Sequence, residues 1–296
     1  MPLCWISCGA TPVADPGTEA EARRLAEERA ERRTARDFAA ADALRDRIRE
    51  LGFEVVDAPG GFELRPLPAA AAISVQWVVE GWPEDVARGI AAFDRHHPGM
   101  DVEHVVVDAV GGADPLWPPS ATAVTIDPTA GWGAARAAGL AATEAPVVVA
   151  VDGSIEPEGD VLTPLADALA DPAVGVAGPF GIVTDDLREF RASDGPEVDA
   201  IEGYCMAFRR ETLDRAGGFD PGFRFYRVAD IELSFRIRDL GLRAVVVDVP
   251  VRRHEHRMWT STPEAERDRL SKRNFYRFLD RYRDRFDLCV TRRAEG

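Results

Sequence analysis

The sequence predicts an α/β fold: a mainly parallel sheet flanked by helices, preceded by a small module made of a helical hairpin and a β-hairpin. Three observations predict it. From Ile73 onward, short apolar runs bounded by turn residues alternate with segments of helical periodicity, the pattern of strands joined by crossover helices. Two of those runs end in an aspartate, Asp108 and Asp152, at the carboxyl ends of strands where such sheets gather ligands. Ahead of Ile73 the composition differs, with residues 19–51 rich in Ala, Arg and Glu.

The elements follow in order. Residues 1–18 read as a loose leader. Residues 19–51 read as two helices, with Leu44, Ile48 and Leu51 on one face of the second and Gly52 ending it. "FEVVDAPGGFELRP" reads as two short strands around a Pro-Gly-Gly turn. A linker, 67–72, follows. "ISVQWVVEG" is then a strand running into a loop, and "PEDVARGIAAFDRHHP" a helix with Pro83 in its first turn. "VEHVVVDA" and "ATAVTID" are strands, "GWGAARAAGLAAT" a helix, and "APVVVAVDGS" a buried strand ending at Asp152. "DVLTPLADALAD" and "VGVAGPF" supply the next helix and strand. In "FYRVADIELSFRIRDLG" Leu233, Ile237 and Leu240 repeat at i, i+4, i+7, a helix stopped by Gly241 with Asp230 and Glu232 at its mouth. "PEAERDRLSKRNFYRFLDRYRDRF" reads as a long helix packed on the domain by Phe275, Phe278, Leu279, Tyr282 and Phe286. The domain spans 73–262, with a C-terminal helix and tail over 263–296.

Bulk properties narrow the function. With 296 residues and 46% hydrophobic content the chain can bury a sizeable core. No apolar run reaches the ~18–20 residues needed to span a bilayer. The first residues lack a basic n-region and a long apolar stretch, so no signal peptide is expected. Cys4, Cys8, Cys205 and Cys289 read as reduced thiols in a cytoplasmic protein. A net charge of −15 disfavours general adhesion to nucleic acid or anionic membrane. Residues 252–293 run the other way, with 13 Lys/Arg against 7 Asp/Glu, read as a solvated helix face or as a patch for an anionic partner.

Two families are resembled. "LAEERAERRTARDFAAADALRDRIRELGFEVVDAPGGFELRP", with Arg29, Arg36, Asp37, Phe38, Ala41, Asp42, Arg45, Asp46 and Gly52, resembles the C-terminal helical appendage of cysteinyl-tRNA synthetases. The adenylate-forming signatures of that family are absent, so the resemblance over 19–66 implies a docking module, with tRNA as the partner it suggests. Residues 73 to about 258 resemble family-2 glycosyltransferases of the GT-A fold. "ISVQWVVEGWPEDVARGIAAF", "VVVDA" and "GWGAARAAGLAATEAPVVVAVDGS" match in order. The most specific match is "EGYCMAFRRETLDRAGGFDPGFRFYRVADIELSFRIRDLGLRAVVVDVPVRRHEH".

The second resemblance implies an inverting hexosyl- or deoxyhexosyl-transferase that takes a nucleotide-sugar donor and an acceptor hydroxyl. Asp230 falls on the family's base. Asp108, Arg136, Asp152 and Ser154 fall on the donor side, and Asp220 and Glu232 on the acceptor side. Asp152 with His254 or His256 falls on the site of a Mg²⁺ or Mn²⁺ ion. The chemistry suits these types: a leaving diphosphate needs positive charge, and an attacking hydroxyl needs a base. His254 and His256 stand two apart at a strand end, and the resemblance leaves open which one turns inward. Each residue also has a plainer reading. Asp230 and Glu232 serve as helix N-terminal acids, Asp108 and Asp152-Gly153 as turns, and Arg136 as a surface residue. Two departures matter. The family's Asp-x-Asp reads Asp152-Gly153-Ser154, and its Glu-Asp pair reads Ala229-Asp230. They motivate a rival reading, a domain of the same fold that binds nucleotide-sugar or glycan without transfer.

Overall fold

The computed structural model describes residues 16–58, 61–66 and 72–293. The chain divides into two compact units, 1–70 and 71–296. Cys4 and Cys8, the first fifteen residues of the expected leader, and the expected linker over 67–71 lie outside the described residues.

The first unit is the expected helical hairpin followed by a β-hairpin. Helices α1 (Pro16–Thr34) and α2 (Phe38–Glu50) precede antiparallel strands β1 (Phe53–Ala58) and β2 (Gly61–Pro66). Asp37 caps α2 by accepting from the Ala40 amide. Leu25, Ile48 and Phe53 form its small core. Arg29, nearly buried, pairs with Asp57 at 2.9 Å.

The second unit alternates as the sequence predicts through its first half. Its elements begin β3 (Ile73–Val79), α3 (Pro83–His96), β4 (Val102–Asp108), β5 (Thr122–Thr125), α4 (Trp132–Ala141) and β6 (Val147–Val151). Then come β7 (Ile155–Pro157), α5 (Leu162–Leu169), β8 (Val174–Gly178), β9 (Gly181–Val183), β10 (Arg191–Ser193), β11 (Glu197–Val198) and β12 (Ala200–Ile201). The rest are β13 (Cys205–Arg209), α6 (Arg210–Ala216), α7 (Ala229–Asp239), β14 (Arg243–Val246), β15 (Val251–Arg253), α8 (Arg257–Ser261), α9 (Glu264–Tyr282), a 3-10 turn (Phe286–Leu288) and α10 (Val290–Arg293).

Eight strands form one sheet in the order β11-β14-β8-β13-β6-β3-β4-β5. β13 and β11 run antiparallel to their neighbours and the other six run together, so the sheet is mainly parallel. β6 shows why it is buried on both sides. Val149 and Val151 face the core that holds Trp77 and Phe93, while Val148 and Ala150 face the core that holds Phe208, Leu233 and Ile237. Fully burying a side chain such as Leu233 is worth roughly 1.5–3 kcal/mol. α9 packs Phe278 and Tyr282 with Phe235 of α7 and Leu187, as the aromatic spacing implies, but it ends at Tyr282, so Phe286, expected on the same face, falls in the following 3-10 turn and is exposed. The stretch 181–200 holds β9 and β10, which form a small antiparallel sheet with β12, and β11, which joins the main sheet.

Candidate active site

The site begins at two neighbouring strand ends. β3 and β6 are parallel and paired, so the residues that follow them, Glu80 and Asp152, leave the sheet at one edge. Asp152 closes a tight turn: its Oδ1 accepts from the Ser154 amide at 2.8 Å and from the Ser154 hydroxyl. The chain returns to this edge through β15, which pairs antiparallel with β7, and the His254 amide donates to the Ser154 carbonyl at 2.8 Å. Two residues on, His256 caps α8 and sets its Nε2 at 3.1 Å from Asp152 Oδ2. Tyr226 stacks on the His256 ring at 4.3 Å and Tyr204 meets it edge-on at 6.0 Å, which fixes the imidazole plane.

The electrostatics of this edge are tightly coupled. Burial alone would raise the Asp152 carboxyl, but the His256 hydrogen bond and charge, with the Ser154 bonds, hold it below the usual range. Glu80 goes the other way: burial first and the Asp152 charge second push its carboxyl above the usual range. Burial opposes the His256 cation, yet the Asp152 and Glu80 carboxylates outweigh it and raise that imidazole. Neither Glu80 Oε1 nor Trp132 Nε1, both buried, makes a hydrogen bond of normal geometry, although the indole is close enough to lower the Glu80 carboxyl. Glu80, Asp152 and His256 each offer a ligand atom, and the three lie within 4.8 Å of one another. A carboxylate-rich set with one imidazole and a weakly satisfied buried oxygen fits a divalent cation such as Mg²⁺ or Mn²⁺.

Asp152 and His256 border two cavities. The larger, of about 130 Å³, is also lined by Asp230, Glu202, Tyr204 and Tyr226. The smaller runs past Glu80, Trp82, Asp85, Ser154 and Arg257. Asp230 stands in the first turn of α7, where its oxygens accept from the Gly203 amide at 2.8 Å and the Ile231 amide at 2.9 Å. Burial nonetheless raises its carboxyl. The N-cap of α7, Val228, holds a left-handed φ of 73°. Such a conformation costs a β-branched residue on the order of 1–3 kcal/mol and is concentrated at functional sites.

Of the residues singled out in the sequence, Asp152, Asp230 and His256 therefore share one cavity, and Ser154 lines the smaller one. The others lie elsewhere, each with partners of its own. Asp108 lines neither cavity; its carboxylate accepts four backbone amides, Val110 to Ala113, and fastens its own loop. Arg136 is buried beneath the sheet edge, where it donates to Gln76 Oε1 at 2.6 Å and to the Val151 carbonyl at 3.0 Å. It acts as a counter-charge under Asp152 and Glu80, not as a surface arm. Asp220 is taken by Arg277 and Arg281 of α9 and by the Gly222 amide. Glu232 is fully buried between Arg236, at 2.9 Å, and Arg281. His254 turns away from Asp152 to pair with Glu156 at 2.7 Å; strand alternation would put both histidines on one face, but β15 ends at Arg253 and the turn into α8 carries His256 to Asp152 instead.

Glu80 and Glu202 were not singled out in the sequence. Glu80 was findable by the rule that picked Asp108 and Asp152, an acid at the end of a buried strand. Glu202 lies between two short strands and carries no comparable signal.

The fold is that of the GT-A glycosyltransferases. In particular, the chain superposes on a crystal structure of GalNAc-T7 with UDP, GalNAc and Mn²⁺ with a TM-score of 0.59 and 17% identity, over 76% of this chain and 50% of that one. It thus spans about half the length of that protein. A mannosyltransferase from Pyrobaculum calidifontis, in complex with GDP-Man and Mn²⁺, aligns with a TM-score of 0.48 and 18% identity over 78% of this chain and 68% of that one. No protein-family model and no curated protein matches the chain. No helix among the described residues is long and apolar enough to cross a membrane.

Proposed function

We propose that this chain transfers a sugar from a nucleoside-diphosphate donor to an acceptor hydroxyl with inversion, and that Asp230 is the base. The observation that carries the reading is the shared cavity: Asp230 borders the same space as the Asp152–His256 pair. The GT-A fold supports the transfer of a sugar from a nucleotide donor, and inversion rests on the placement of Asp230 alone.

Asp152 and His256 would hold the cation, and Arg136 beneath them would balance the carboxylates. When bound there, Mg²⁺ or Mn²⁺ supplies Lewis-acid stabilisation of the leaving diphosphate. Asp230 receives the proton of the attacking hydroxyl as the new bond to the anomeric carbon forms and the bond to the diphosphate oxygen breaks. Displacement in one step inverts the anomeric centre. Burial makes Asp230 a stronger base than an exposed aspartate, and the Gly203 and Ile231 amides fix its orientation. Tyr204 and Tyr226 wall the cavity and offer faces on which a sugar ring can rest.

Titration with UDP and GDP, with and without Mn²⁺, tests donor binding; the reading expects Mn²⁺-enhanced binding of at least one, and failure under every condition overturns it. Transfer from hexosyl and deoxyhexosyl donors tests the chemistry. Asp230→Asn is expected to lower kcat by about 10²–10⁴-fold while nucleotide affinity stays within about twofold, because Asp230 does not touch the cation cluster. Unaltered turnover in that variant would remove Asp230 as the base.

A further inference from the structure

We propose that Glu80 is the second carboxylate of the cation site, supplying from the end of β3 what Ser154 lacks. The inference deepens the transferase reading and rests on its metal centre.

Ser154 is poorly placed to serve. Its hydroxyl is turned inward onto Asp152 Oδ1, and a neutral hydroxyl is a weaker partner for a hard divalent ion than a carboxylate. Left with Asp152 and His256, the protein would offer two ligands from the β6–β7 turn and the start of α8. Glu80 adds a third from an independent element. β3 and β6 are paired in parallel up to Gln76 and Ala150, so the sheet itself carries Glu80 to Asp152. Gly81 follows at once with a φ of 112°, a turn that glycine alone adopts freely, and it takes the chain away from the sheet edge directly after the carboxylate.

Two further observations point to a ligand rather than to a structural acid. Glu80 Oε1 is buried and makes no hydrogen bond of normal geometry, its one side-chain donor being the imperfectly placed Trp132 indole, a weakly satisfied state that a ligand would relieve. Its neighbours are the Asp152 carboxylate, which raises it, and the His256 and Arg136 charges, which lower it, so Glu80 belongs to the same charged cluster as Asp152 and His256. The distances also suit a shared ion. Donor atoms about 2.1 Å from one ion lie ~3–4.2 Å apart, and the three ligand atoms here lie within 4.8 Å of one another, a spacing that modest side-chain rotation closes.

The test uses the full chain and Mn²⁺ alone as probe, with free Mn²⁺ followed by electron paramagnetic resonance. Glu80→Gln keeps the shape and removes the charge; it is expected to weaken Mn²⁺ binding by about 10-fold or more. Ser154→Asp in the Glu80→Gln background restores a carboxylate to the cluster and is expected to recover most of that loss. Asp152→Asn reports on the centre itself. If Glu80→Gln binds Mn²⁺ within about twofold of the parent while Asp152→Asn does not bind, the Glu80 assignment falls and the centre stands. If the parent binds no Mn²⁺, or Asp152→Asn binds as well as the parent, the metal centre falls and the assignment with it. Thermal melts without metal separate a folding defect from ligand loss: Glu80→Gln keeps the side-chain volume, so the apoprotein should still melt cooperatively, and its Mn²⁺-induced rise in Tm should shrink.

Discussion

Asp230 depends on a close approach from its surroundings. A methyl group on Gly203 would sit 3.3 Å from Asp230 Cβ and 3.4 Å from Oδ2, so Gly203→Ala must displace the carboxylate by a few tenths of an ångström. Because sub-ångström misplacement of a reacting group is expensive in rate, kcat should fall about 10-fold while the fold survives; equal kcat in steady-state assays would show that the carboxylate has room to spare. Glu202 shares the cavity and is raised by burial first and by the Asp230 charge second. Two acids in one cavity resist ionising together, which helps to explain why the site needs cations at its rim. Arg227 and Arg253 both draw the Glu202 carboxyl back down.

The C-terminal helix α9 is fixed by ion pairs as much as by its aromatic face. Arg281 bridges Glu232 of α7 and Asp220, and Arg277 adds a second bond to Asp220. Glu232 has no exposure, so Arg281→Met leaves that charge with Arg236 alone. The loss should be about 1–3 kcal/mol, read as a lower midpoint in urea at unchanged slope; no change in midpoint would mean Arg236 suffices. Asp220 gives this docking a pH dependence. Burial raises its carboxyl, but the Gly222 amide and the Arg277 and Arg281 charges lower it further, for a net depression. A carboxyl depressed in the folded state stabilises above its unfolded value of about 3.9 and loses that contribution as pH falls through the folded value. Stability should therefore drop below about pH 4 more steeply in the parent than in Asp220→Asn, by urea midpoints measured across that range.

At the scale of the whole molecule, both cores that sandwich the main sheet belong to residues 71–296, as does every residue of the candidate site. Removing residues 1–70 should leave a cooperatively melting protein with Mn²⁺ affinity within about twofold of the full chain. Failure to fold would show that the first unit is structurally required. The sequence by itself determined the alternating strands and helices of the first half of the larger unit, because a strand buried on both faces must be a continuous apolar run and an amphipathic helix must repeat at 3.6. It also determined Asp152, an acid at a strand end, and through family resemblance it singled out Asp230. The tertiary structure alone decided how the remaining polar groups are spent. Asp108, Arg136, Asp220 and Glu232 have the chemistry of site residues, but backbone amides, a buried glutamine and the α9 arginines consume them. The choice between His254 and His256, and the arrival of Glu80 beside Asp152, follow from the pairing of β15 with β7 and of β3 with β6. Those ladders join segments far apart in the chain, and no local pattern encodes which distant group a side chain meets.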